Sequence, residues 1–381
     1  MEQRSSPISS ATIARLAETL EAVAREVRAS IPDAIPPLPT TDQLSGLLAT
    51  AFWASLKHEE GRPLAFSLAI VPFERAGAAV SFTTPLDLNV DAIVRLAPAL
   101  NPKRRSLAVT AQPERPLSVW GIAAPSFIAP TIETTSPGVL VVRYWGRVLM
   151  VFEHGEDIFL EGANYVNLLS ILAGAFKHHT PFENPFTLSS ALIGIIQAML
   201  SHGHGGLLLI LPSSQNDWQQ HLASIRYQPS PPSRILREAV DSLQAAGTLP
   251  FSMPQALMAF SQQQVLRDAC ELVGLLTAID GATIVNTELE LTAFGAMIKS
   301  GRLPVETEVY TLQPGRSADT GNRLPLARLG GARHRSAAEF CAYEHDAIAC
   351  VASQDGPLTV IGWLEREQAL CALQRADLFL K

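Results

Sequence analysis

Residues 189–211 read SSALIGIIQAMLSHGHGGLLLIL: a helical stretch from about Ser189 to Leu200, a glycine-rich turn at Gly203-His204-Gly205-Gly206, and a continuous apolar run from Leu207 to Leu211. A strand with one solvated face alternates apolar with polar residues, whereas a strand covered on both faces does not need to. The run has the length of such a doubly covered strand, so a domain with helices packed around a sheet begins near here. Downstream, Pro229-Ser230-Pro231-Pro232 marks a loop and Ile235 to Ala246 is helical. Pro254 starts another helix, whose apolar face includes Val265, Leu266, Ala269, Cys270, Val273 and Leu276. Strand-like segments follow at Thr283–Val285, Ala293–Ile298, Ala347–Ala352 and Leu358–Ile361. The expected fold of this half is α/β, a mixed sheet with flanking helices.

Upstream the pattern differs. Ile13, Leu16, Leu20, Val23 and Val27 recur at spacings of three and four and describe one amphipathic helix, too short for a coiled-coil seam. From Leu64 to Phe159, short β-branched and aromatic runs lie between Gly and Pro: Leu64–Val71, Ala78–Phe82, Ser106–Thr110, Val139–Tyr144 and Val148–Phe152. The pair Val139–Arg143 and Val148–Phe152, joined through Tyr144-Trp145-Gly146, forms a hairpin pattern with glycine at the turn. We therefore expect an α+β N-terminal domain over 1–187 and the α/β domain over 188–381.

Of 381 residues, 47% are hydrophobic and 17% charged, a composition that buries sizeable cores. A net charge of −7 provides no positive field for a nucleic-acid polymer, and the compact basic run Lys103-Arg104-Arg105 reads as a solvated loop. Cys270, Cys341, Cys350 and Cys371 show no CxxC spacing and read as small buried residues of a reducing cytoplasm. Met1 to Ser10 lacks the basic start and apolar core of a signal peptide, and the apolar runs Tyr165–Phe176 and Ala191–Leu200 are too short to span a bilayer. The expectation is a soluble, cytoplasmic protein. His154, His178, His179, His202 and His204 lack metal-ligand spacing and read as surface or cap histidines.

Three clusters at turns carry the chemistry. Asp280-Gly281-Ala282 places a carboxylate at an element end, where it can hold a divalent cation or accept a hydroxyl proton. Gly330-Gly331-Ala332-Arg333-His334-Arg335-Ser336 opens a helix with two arginines, which are disfavoured at that end unless an anion joins them. Arginine forks match phosphate oxygens in pairs. The third cluster, Ser353-Gln354-Asp355-Gly356, ends a buried-looking strand.

In this order the clusters resemble the diadenylate cyclase family. The resemblance spans roughly residues 190–370 and includes Gly205-Gly206-Leu207, Phe294-Gly295-Ala296, Leu324-Pro325-Leu326, and Asp346-Ala347-Ile348 leading to Ser353. It implies a diadenylate cyclase-like domain in which two protomers meet face to face, each holding one ATP, and form cyclic di-AMP with release of two pyrophosphates. A homo-oligomer is then required. By the same resemblance Asp280 binds Mg2+ or Mn2+ and helps deprotonate the attacking hydroxyl, while Arg333, His334 and Arg335 grip phosphate. Gly281, Ala282, Gly295, Gly331, Ala332, Ser353 and Gln354 then line the nucleotide. Three positions depart from the family pattern: Ile279 where many members have His, Ala332 where many have Thr, and Gln354-Asp355 where many have a pair of glutamates. They leave open an alternative, a nucleotide-binding sensor module of the same fold without turnover. The N-terminal region resembles, in position and composition, the sensor regions upstream of some bacterial diadenylate cyclases.

Overall fold

The aliphatic run forms the strand Gly206–Leu211 in a computed structural model of the chain. The structure describes residues 7–30, 38–76, 79–100, 105–111, 116–124, 128–153, 155–160, 185–213, 217–247, 253–304, 306–314, 322–354, 357–365 and 367–380. Lys103 and Arg104, the histidines His154, His178 and His179, the run Tyr165–Phe176, and Asp355-Gly356 lie outside those residues. The chain divides into two compact units, 1–164 and 165–380. The division expected between residues 187 and 188 falls inside the helix Pro185–Ser201, which belongs to the second unit.

In the first unit, the periodic apolar residues of α1 (Ser10–Ser30) are all buried, as the three-and-four spacing requires. Helix α2 (Thr41–Ser55) begins with a capping box, in which the Gln43 backbone N–H donates to Thr40 Oγ1 and the Thr40 N–H donates to Gln43 Oε1. The strands of its main sheet are β1 (Ser67–Ile70), β2 (Ala79–Asp87), β3 (Ser106–Thr110), β4 (Ser118–Ala123), β5 (Thr131–Ser136), β6 (Val139–Tyr144), β7 (Arg147–Glu153) and β8 (Glu156–Phe159), with α3 (Val90–Leu96) between β2 and β3. They form an eight-stranded sheet in the order β8-β7-β6-β5-β1-β3-β4-β2, parallel only at β1–β3. The β6–β7 hairpin turns through Trp145 (φ 53°) and Gly146 (φ 68°), the paired positive φ values of a type I′ turn. Phe66, Leu68, Leu107, Leu140, Val142 and Met150 share a core with the apolar faces of α1 and α2.

The second unit contains α4 (Pro185–Ser201), β9 (Gly206–Leu211), β10 (Leu222–Tyr227), α5 (Ile235–Gly247), α6 (Met253–Leu276), β11 (Ala282–Asn286), β12 (Leu291–Ile298), β13 (Glu308–Leu312), β14 (Asn322–Pro325), α7 (Ala332–Tyr343), β15 (Ile348–Ala352), β16 (Leu358–Leu364) and β17 (Ala369–Leu373). Its nine-stranded mixed sheet runs β10-β12-β11-β9-β15-β16-β17-β13-β14. Parallel pairs occur at β9–β11 and β13–β17. Along β9, Leu207, Leu209 and Leu211 join the core containing Ala337 and Phe340 of α7. Leu208 and Ile210 alternate with them and are equally buried, on the face that α4 covers. Both faces are therefore occupied, which is why the strand carries no polar alternation. Helices α4 and α6 approach closely because Gly274 has no side chain: a Cβ there would lie 2.4 Å from the Cβ of Ala198.

Pairing register sets one end of this sheet apart. Gly206 at the start of β9 is opposite Ala352 at the end of β15, Thr283 near the start of β11 is level with Leu208, and Ala282 is opposite Ala296 on β12. The turns carrying Gly205, Asp280-Gly281 and Ser353-Gln354 thus emerge at the same end.

Candidate functional site

Two glycines fix the Asp280 turn. Gly281 has φ +110°, and a Cβ there would meet the Gly295 carbonyl carbon at 2.7 Å and the Ala296 nitrogen at 2.9 Å. Gly295 has φ +62°, and a Cβ there would lie 3.3 Å from side-chain atoms of both Arg226 and Tyr227 and 3.5 Å from Ile279. The β12 backbone is thereby pressed against the turn, holding Asp280 at the sheet end with its side chain 72% exposed. Gly281→Ala is expected to destabilise the second unit by about 1–3 kcal/mol from backbone conformation alone, with the clash adding to that. The loss would be read as a lower urea midpoint at unchanged slope. Ala282, next in the chain, is buried within β11.

The Arg226 Nη2 lies 3.7 Å from Asp280 Oδ2, with its side chain 52% exposed. An ion pair this exposed holds weakly, so the carboxylate remains available to another cation. Among the described residues, no group of three or more His, Cys, Asp or Glu side chains converges as a metal site. An Asp280 carboxylate could hold a magnesium-like ion together with phosphate oxygens and water, since that ion commonly takes only one or two protein carboxylates. Beside it, Tyr227 and Phe294 stack across the β10–β12 pair with centroids 4.8 Å apart, and Tyr227 is half exposed.

The second half of the site is built by the first turn of α7. Gly331 is the N-cap, no side chain caps it, and Ala332 is the exposed first helical residue. The leading backbone N–H groups of a helix have no partner within it and carry the positive end of its dipole. Arg333, half-buried, reaches back over the sheet end: a Cβ on Gly205 would lie 2.9 Å from its Nη1, 3.1 Å from the Ala352 carbonyl oxygen and 3.3 Å from the Gln354 nitrogen. Gly205, at φ +69°, is thus the floor on which the guanidinium rests. Gln354 is exposed, and the Ser353 N–H donates to the Pro357 carbonyl, closing the loop between β15 and β16.

His334 has a different environment. It is 8% exposed, its Nε2 lies 3.2 Å from Thr359 Oγ1, and its ring fills the space above Gly330, where a Cβ would come within 2.4 Å of Nδ1. Burial pushes its pKa below the ordinary histidine value, which favours the neutral ring. The phosphate-gripping role that the resemblance implies for all of Arg333, His334 and Arg335 is therefore open by position only to the two arginines. They leave the helix on either side of His334, about 100° away at helical pitch. His334 instead pins the first turn to β16.

The two halves are joined through Thr277, near the start of the turn leading to Asp280. Its Oγ1 donates to the Gly274 carbonyl at 2.6 Å, lies 3.1 Å from His202 Nε2, and sits where a Cβ of Gly206 would approach to 2.7 Å. Arg226, Thr277, Thr359 and His202 are residues that the sequence reading did not bring to the site. Only His202 carried a local signal, its place in the turn before β9. The four free cysteines take no part: burial raises the thiol pKa to about 11 for Cys270 and Cys371, and to about 12 for Cys341 and Cys350. No helix among the described residues is long and apolar enough to cross a membrane.

The similarities of the chain to known proteins include a family profile and a solved structure. A family profile described as "Probable sensor domain DACNV" matches residues 33–124, which run from before α2 to just beyond β4 in the first unit. A crystal structure of a double cysteine mutant of DacA from Staphylococcus aureus aligns with 51% of this chain and 89% of its own, at 13% identity and a TM-score of 0.26. No curated protein matches the chain by sequence.

Proposed function

We propose that the second unit is a diadenylate cyclase, which joins two ATP molecules into cyclic di-AMP, and that the first unit is its sensor domain. The observation that carries the reading is the meeting, at one sheet end, of an exposed carboxylate on a glycine-braced turn with a guanidinium laid over the entry to β9. That pairing suits a polyphosphate: the uncapped start of α7 and Arg333 bind its charge, while Asp280 lies across the same end. The profile match over residues 33–124 supports the sensor assignment.

In this reading each protomer holds one ATP, and two protomers face each other with their sheet ends apposed. The 3′-oxygen of one nucleotide attacks the α-phosphorus of the other as its proton passes to an Asp280 carboxylate oxygen, and the bond to pyrophosphate breaks. The same displacement in the other direction closes the ring. Asp280 would help hold Mg2+ or Mn2+, which when bound would supply charge neutralisation and favour the ionised hydroxyl. Arg333 and Arg335 offset charge on the leaving phosphates, and His334 keeps the first turn of α7 in place. Positioning and charge stabilisation make up most of what phosphoryl-type transfer asks of a protein.

A second reading, a nucleotide sensor without turnover, draws on Ile279, Gln354 and the engagement of Asp280 by Arg226. Incubation of the purified chain with ATP and either cation, with products resolved by chromatography and mass, separates the two. Cyclic di-AMP is expected, with activity per protomer falling on dilution because one protomer holds half of the reaction. Bound ATP without product at any protein concentration would favour the sensor.

A further inference from the structure

The turn before β9 has more structure than an entry loop needs. His202 is held at both ring nitrogens: the His204 backbone N–H donates to Nδ1 at 3.1 Å, and Nε2 lies 3.1 Å from Thr277 Oγ1. The Thr277 hydroxyl hydrogen is directed to the Gly274 carbonyl, so Oγ1 accepts and His202 is fixed as its neutral Nε2–H tautomer. Burial, aided by His204 and Arg333, likewise lowers the pKa of His202. The His204 ring stacks on that of His202 with centroids 5.6 Å apart and planes 24° apart, and it is exposed. Stacking engages the face of an imidazole and leaves its nitrogens, which lie on the edge, to other partners. The next residue is Gly205, on which the Arg333 guanidinium rests. Gly203 and Gly205, at φ +70° and +69°, allow the chain to turn sharply on both sides of His204.

We propose that His204 is a further contact for the anionic tail of the nucleotide, facing its outer phosphates from the turn before β9 while Arg333 faces them from α7, and that His202 is its positioning residue. This rests on the nucleotide site proposed above and adds to it a means of distinguishing a triphosphate from a monophosphate. A stacked imidazole whose neighbour is hydrogen-bonded on both sides is a preorganised donor, which loses little freedom when it meets phosphate oxygen.

The test is titration calorimetry of the full chain with ATP, AMP and inorganic pyrophosphate. The variants are His204→Phe, which keeps the stack and loses the donor, and His204→Gln, which keeps a donor and loses the ring. His204→Phe is expected to weaken ATP and pyrophosphate by about 10-fold, the worth of one charge-assisted hydrogen bond, and to leave AMP unchanged. His204→Gln retains most of the ATP affinity. His202→Phe should give a smaller loss for ATP and none for AMP. If His204→Phe binds ATP and pyrophosphate like the unaltered chain while Arg333→Gln does not, the assignment to His204 fails and the nucleotide site stands. Equal losses for ATP and AMP would make the histidine structural and overturn the assignment. An unaltered chain that binds neither nucleotide overturns the site and this inference together.

Discussion

Arg333→Ala is expected to lower cyclic di-AMP formation by about 10²–10³-fold, the usual effect of removing one fixed donor from developing negative charge. The side chain is half-buried and its guanidinium lies against Gly205 beside the Gln354 nitrogen, so its direction is set by the sheet end and not by solvent. Charge on the departing pyrophosphate grows towards the transition state, so kcat should fall more than KM rises. Arg333→Lys should recover little, since an ammonium cannot present two parallel donors from that position. The thermal midpoint should move little, because the residue fills no core volume. A loss of only a few-fold in kcat/KM would remove Arg333 from the reaction.

The second large effect is at Asp280. Asp280→Asn keeps the shape of the side chain and removes both its charge and its ability to take a proton, for an expected loss of about 10²–10⁴-fold in kcat. Exposure at 72% and the absence of a core role mean that folding should be spared, so the loss can be read as chemical. The variant should also need more Mg2+ or Mn2+ for its residual activity, because the carboxylate proposed to hold the cation is gone. Product formation at the unaltered rate would refute both roles.

Much of the architecture could be read from local pattern. The periodicity of α1, the β6–β7 hairpin with glycine at its turn and the aliphatic run of β9 each follow from short-range sterics or from burial on one or two faces. These signals persist in any context because the residues that set them are adjacent in sequence. Edge strands were harder to read: Leu222–Tyr227 is mostly exposed and became a strand only by pairing with β12. That pairing is also what brings Arg226 to Asp280, across a separation in sequence that no local pattern spans.

The candidate site shows the same division. Sequence chemistry was enough to single out Arg333 and Arg335, because arginines at a helix start conflict with local electrostatics unless an anion joins them, whereas Asp280, an ordinary turn residue by itself, stood out only through the resemblance of the clusters taken together. It could not say that His334, between the arginines, faces Thr359 and the interior, since the rotation of α7 about its axis is decided by packing on the sheet. Nor could it show that the His202–Gly205 turn meets both Thr277 and Arg333. The identity of the candidate site residues is a property of the chain, whereas their company depends on strand register and helix rotation. Both of those are settled by long-range burial of Leu207–Leu211 between two helical layers.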